Sequence, residues 1–200
     1  MLPEGASLLL VGLRGSGKST LGRELASRTG RAFIDLDDVT RDYLGQGTIG
    51  ELFAKVGEAR FRGAEYRALV NQAFPMSRLG PVVALGGGTP TAPGASDFLQ
   101  DAKKRGIARL VYLRASADAL RTRLEDADNA DRPSLTGKGV LDEIDDILAT
   151  RDPLYQELAD RIIEVDHLSV EEALELLLED ARPGPPPEPI EGAPDPAKDA

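Results

Sequence analysis

Residues 12–20 read GLRGSGKST, with three glycines, a lysine and several hydroxyls directly after the apolar run SLLLV and before LGRELASRTG. The spacing fits G-x-x-x-x-G-K-[ST] through Gly12, Gly17, Lys18 and Ser19. Small residues at these positions let the backbone curl so that successive N–H groups converge, which makes a concavity that fits a phosphate. In that geometry Lys18 reaches the β- and γ-phosphates of a nucleotide, and the Ser19 hydroxyl ligates Mg²⁺. Gly15, Ser16, Gly17 and Thr20 complete the set expected to hold ATP.

A second chemical group is FIDLDD, where Asp35 and Asp37 stand two residues apart. On an extended chain both side chains leave the same face. One carboxylate suits water around Mg²⁺, and the other suits the hydroxyl that attacks the γ-phosphate. Asp37 or Asp38 is also expected to cap a helix beginning at VTRDYL. Asp35 is the candidate metal carboxylate, because the third apolar run, VVAL, leads into Gly86, Gly87 and Gly88 without a terminal aspartate. A triple glycine at a strand end lets a ligand approach the backbone closely.

These groups need a scaffold that brings them together. SLLLVG, RAFIDLD, PVVALGGG, ARLVYLR and RIIEVD read as five short buried strands. The stretches between them, KSTLGRELASRTG, EARFRGAEYRALVNQAF, ASDFLQDAKKRG, SADALRTRLED and SVEEALELLLEDA, carry helical spacing. The alternation predicts an α/β three-layer sandwich around a five-stranded parallel sheet, with ligands beyond the carboxyl ends of the strands. The polar, aperiodic stretch EDADNADRPSLTGKG reads as a lid over that edge.

Composition narrows the function class. The chain has 200 residues and a formal charge of −10, with one histidine and no cysteine. That excludes a disulfide framework and a thiolate metal site, and it argues against a general nucleic-acid binder. No apolar run approaches the ~20 residues of a membrane span, so a cytoplasmic protein is expected. Residues 182–200 hold seven of the fourteen prolines and read as a disordered acidic tail. The folded domain is then 1–181.

Taken in order, the motifs resemble shikimate kinase over residues 7–166. They are the glycine loop, the D-x-D at Asp35 and Asp37, and the F-R-x-x-E of Phe61, Arg62 and Glu65. The ALGGG turn follows, then the R-P of Arg132 and Pro133, and the R-x-P-L-Y that starts at Arg151. The resemblance implies a P-loop kinase fold and transfer of phosphate from Mg-ATP to the 3-hydroxyl of shikimate, a small hydroxylated carboxylate, by a monomer. It implies that Arg62 and Arg151 hold the carboxylate, Glu65 orients an arginine, and Asp37 binds the reacting hydroxyl. Gly86, Gly87 and Gly88 would line the acceptor pocket. Lys18, Asp37 and Arg132 would be the catalytic set, with Arg132 arriving on the lid. Arg123 aligns with an arginine that stacks on adenine, although its place in SADALRTRLED equally suits a solvated helix residue.

The chain departs from the family pattern at VDHLSVEEAL, where an Asn-Arg-Arg-Asn-Pro-like stretch is usual, and at Pro90 in the glycine turn. Two other readings fit parts of the pattern. One is another small P-loop kinase, such as a gluconate or nucleoside monophosphate kinase. The other is a nucleotide-binding module without transfer.

Overall fold

The computed structural model describes residues 2–74, 79–125 and 143–182. Arg132, Pro133, most of the expected lid and the Pro-rich segment lie outside the described residues. The five strands are β1 (Ser7–Val11), β2 (Phe33–Asp35), β3 (Val82–Ala84), β4 (Ala108–Arg114) and β5 (Arg161–Glu164). They form one parallel sheet in the order β2-β3-β1-β4-β5. The helices are α1 (Lys18–Thr29), α2 (Leu36–Leu44), α3 (Ile49–Val56), α4 (Glu58–Gln72), α5 (Ala95–Lys104), α6 (Ala117–Glu125), α7 (Ile144–Leu158) and α8 (Val170–Ala181).

Burial follows the strand order. Every residue of the central β1 and of β3 is buried, so both read as unbroken apolar runs. The edges differ from the expectation of five buried strands. β2 is half-buried throughout, and β5 alternates with Ile162 exposed and Ile163 buried. An edge strand has one neighbour and less helix over it, so alternation suffices there.

Strand pleating separates the two outer layers. From β4, Arg109 reaches Asp180 of α8, whereas the ring of Tyr112 meets Tyr155 of α7. Residues of opposite parity leave opposite faces, so α8 and α7 cover different sides of the sheet. α8 packs on α1, and α5 packs on β4 and α7. Asp180 is buried between Arg109 and Arg161, with contacts of 2.6 and 2.9 Å, and so ties α8 to β4 and β5 together.

α7 contradicts a purely local reading, because Pro153 sits inside it. A proline there removes one backbone hydrogen bond and costs roughly 3 kcal/mol in an isolated helix. Tyr155 and Leu158, both fully buried, hold the helix on beyond the proline. The cap of α2 also differs from expectation. Asp35, rather than Asp37 or Asp38, is the N-cap, and its carboxylate accepts the Asp37 N–H at 3.1 Å.

At the opposite end of the sheet, the buried Arg31 guanidinium donates to the carbonyls of Ala6, Gly80 and Ala181. It fixes where β1 and β3 begin. A Cβ at Gly80 would lie 2.3 Å from the Ala6 carbonyl oxygen, and backbone there cannot rotate away. Gly80→Ala should therefore push β3 off β1 and lower the unfolding free energy by about 1–3 kcal/mol in a denaturant titration.

Candidate active site

The phosphate loop connects the central strand β1 to α1. Gly15 and Gly17 adopt φ of 83° and 94°, which side-chain-bearing residues rarely adopt, so the loop can turn back over the helix N-terminus. Lys18 opens α1, and its ammonium donates to the carbonyls of Gly12 and Leu13, both at 2.9 Å. Its charge is thereby held over the loop's own concavity. Ser16 is buried, with its hydroxyl packed against Gly12 rather than toward the loop opening. Thr20 is exposed on the first turn of α1.

Ser19 Oγ donates to Asp35 Oδ2 at 2.7 Å. This hydroxyl and carboxylate, beside Lys18, form an all-oxygen donor pair of the kind Mg²⁺ takes when phosphates and water complete its shell. Among the described residues no cluster of three or more His, Cys, Asp or Glu side chains could hold a metal ion by itself.

Asp37 does not share a strand face with Asp35. It lies in the first turn of α2, because the Asp35 cap starts the helix at Leu36, three residues before the expected Val39. From there it lines a cavity of about 450 Å³ together with Lys18, Arg62, Glu65, Gly87 and Arg151. Ile49, Phe53, Phe61 and Ile147 add an apolar wall to the same cavity.

Arg62 and Glu65 stand three apart on α4, so they share one helix face. They form a buried ion pair at 2.5 Å. The Arg62 guanidinium also lies 5.9 Å from the ring centres of both Phe53 and Phe61. Burial pushes the Glu65 carboxyl above the usual carboxylate range. The Arg62 guanidinium opposes that shift, and the nearby Asp37 charge adds to it.

Gly86, Gly87 and Gly88 each face a site side chain. A Cβ at Gly86 would lie 2.5 Å from Asp37 Oδ1. One at Gly87 would lie 3.8 Å from Arg151 Nη1, and one at Gly88 would lie 1.9 Å from Arg62 Nη1. At Gly86 and Gly88 a side chain would overlap Asp37 and Arg62, whereas at Gly87 a Cβ would make only ordinary contact. Pro90 does not disturb them: it sits in a single 3₁₀ turn, Thr89–Thr91, near the start, where a missing N–H is harmless.

Arg123 is half-buried rather than solvated. It donates to the Gly15 carbonyl at 3.4 Å and to the Val165 carbonyl, joining the phosphate loop to the end of β5. Arg14 and the buried Glu143 also line the cavity, and neither was expected. Arg14 occupies a variable position of the loop pattern, and Glu143 precedes α7, so spacing gave no signal for either.

A sequence profile described as Shikimate kinase matches residues 14–182. The chain belongs to the shikimate kinase family. It is 39% identical over 173 residues to "Shikimate kinase 2" of Yersinia enterocolitica, covering 86% of this chain and 93% of that protein. The structure superposes on the Acinetobacter baumannii shikimate kinase in complex with shikimate with a TM-score of 0.75 and 30% identity, covering 90% and 92% of the two chains. The Bacteroides thetaiotaomicron shikimate kinase gives a TM-score of 0.74 and 32% identity, covering 87% and 97%.

Family membership makes the Arg62–Gly88 contact testable as part of an acceptor pocket. In Gly88→Ala the new methyl must displace the end of a flexible arginine, so the fold should survive. Acceptor affinity, titrated without nucleotide, should fall by about tenfold or more, because a misplacement of ~1 Å is costly at such a site.

Proposed function

We infer that this protein transfers the γ-phosphoryl group of ATP to the 3-hydroxyl of shikimate. The observation that carries the reading is one cavity of about 450 Å³ at the end of the phosphate loop. On its walls stand a phosphate-loop lysine, three arginines and an aspartate, the set a small hydroxy-carboxylate and a triphosphate need together. The volume lies within the range of small-molecule sites.

In this assignment Arg62 and Arg151 bind the acceptor carboxylate through planar guanidinium forks. Glu65 holds the Arg62 fork in place. The apolar wall around Phe53 and Phe61 suits the hydrocarbon face of a ring. Asp37 accepts a hydrogen bond from the reacting hydroxyl and takes its proton as the oxygen attacks phosphorus. The loop N–H groups and Lys18 offset charge on the β- and γ-phosphates before and during transfer.

Ser19 and Asp35 would hold Mg²⁺, which supplies charge neutralisation at the phosphate oxygens when bound. Arg123 would border the nucleotide. Arg132, assigned by resemblance alone, would act on the transferring phosphoryl group. Among the described residues no helix is long and apolar enough to cross a membrane. We assign the activity to a cytosolic monomer.

With Mg-ATP present, shikimate should stimulate ADP release far more than gluconate or a nucleoside monophosphate. Equal stimulation by gluconate would move the assignment to another small-molecule kinase.

Arg62→Lys keeps a positive charge facing Glu65 but loses the fork. It should raise the KM for shikimate by about tenfold or more and leave the KM for ATP within about twofold. A matching rise in the KM for ATP would remove Arg62 from the acceptor site.

A further inference from the structure

The three carbonyls of the glycine turn are satisfied in different ways. Those of Gly86 and Gly88 accept backbone N–H groups of the following turn, from Thr89 at 3.0 Å and Thr91 at 2.9 Å. The Gly87 carbonyl instead accepts from two side chains of α7, Arg151 Nη1 at 2.9 Å and the Tyr155 hydroxyl. A peptide between two glycines has no Cβ on either side to fix its plane, so these side-chain donors set its orientation. The peptide is planar and trans, and its N–H, that of Gly88, points opposite to the carbonyl.

Tyr155 is itself held rigidly. It is fully buried, and its ring meets that of Tyr112 edge-on at 5.3 Å. The Tyr112 hydroxyl donates to Asp152 Oδ1 at 2.8 Å, and Arg114 grips both oxygens of the same carboxylate at 2.9 and 3.0 Å. Tyr112 and Arg114 project from the same face of β4 and clamp α7 one residue from Arg151 and three from Tyr155. None of these contacts requires a ligand.

We propose that Tyr155 is a positioning residue for the acceptor site, fixing the Gly87–Gly88 peptide and the Arg151 guanidinium through their shared carbonyl before substrate arrives. Without the hydroxyl, Arg151 alone would hold the carbonyl, and the same guanidinium would have to hold turn and acceptor at once. Burial pushes the Tyr155 phenol up to about 12, so it keeps its proton across any working pH. The kinetic consequence rests on the phosphoryl-transfer reading above, and the structural one does not.

Tyr155→Phe removes the hydroxyl and keeps the ring. Tyr112→Phe is the control: it removes a buried hydroxyl on the same wall that does not touch Gly87, and Arg114 still holds both Asp152 oxygens and so keeps α7 clamped. Both variants should lose some thermal stability. Only Tyr155→Phe should raise the KM for shikimate, by about three- to tenfold, the equivalent of one net hydrogen bond, with kcat and the KM for ATP within about twofold. In unliganded protein labelled with ¹⁵N-glycine, the Gly88 amide signal should shift or broaden in Tyr155→Phe and stay unchanged in Tyr112→Phe.

An unchanged Gly88 signal in Tyr155→Phe overturns the proposal, as does an equal rise in KM for both variants. If the wild-type protein phosphorylates a different acceptor, the functional reading fails while the amide signals still decide the role of Tyr155.

Discussion

The Asp35 carboxylate joins the two halves of the site. One oxygen accepts the Asp37 N–H and starts α2, and the other accepts the Ser19 hydroxyl on the first turn of α1. The phosphate loop and the helix carrying Asp37 are therefore referenced to one group at the end of β2. Placing that group needs the parallel pairing of β2 with β3 and of β3 with β1, so the sheet register sets the distance between the two halves. A parallel sheet suits this task because its strand ends align on one edge, where successive loops can face each other.

The cavity wall around the glycine turn depends on close backbone approach more than on any one charge. Arg62 passes over Gly88, Asp37 abuts Gly86, and Arg151 leans on the Gly87 carbonyl. Each cation arrives from a helix anchored elsewhere. α4 brings Arg62 with its counter-ion Glu65 already buried beside it, and α7 brings Arg151 from a helix tied to β4 through Asp152. A buried guanidinium without such partners would be costly to hold in place. These partners let the charges stand in position without substrate, so less ordering remains to be done on binding.

Local spacing revealed much of this. The glycine loop and the glycine turn are contiguous, so their chemistry survives in one dimension, whereas Arg62 and Glu65 took their expected roles from the family resemblance. What it missed lies across long separations. Tyr155 meets Gly87 sixty-eight residues away, and Tyr112 meets Asp152 forty residues away. α7 was hidden because Pro153 marks a break by propensity, whereas buried Tyr155 and Leu158 override it. Arg14 and Glu143 join the cavity only through the packing of α7 and the loop. Asp35 was expected as a metal carboxylate, but its capping role depends on where α2 begins, which tertiary packing sets.

The sequence by itself specified the fold class, the five strands and the phosphate-binding chemistry, because apolar periodicity and glycine spacing act over a few residues at a time. Which strands are edges, which helices face each other and which carbonyl Tyr155 grips required the folded chain. Those choices minimise exposed apolar area and unpaired polar groups over the whole molecule at once, and no window of neighbouring residues contains that sum.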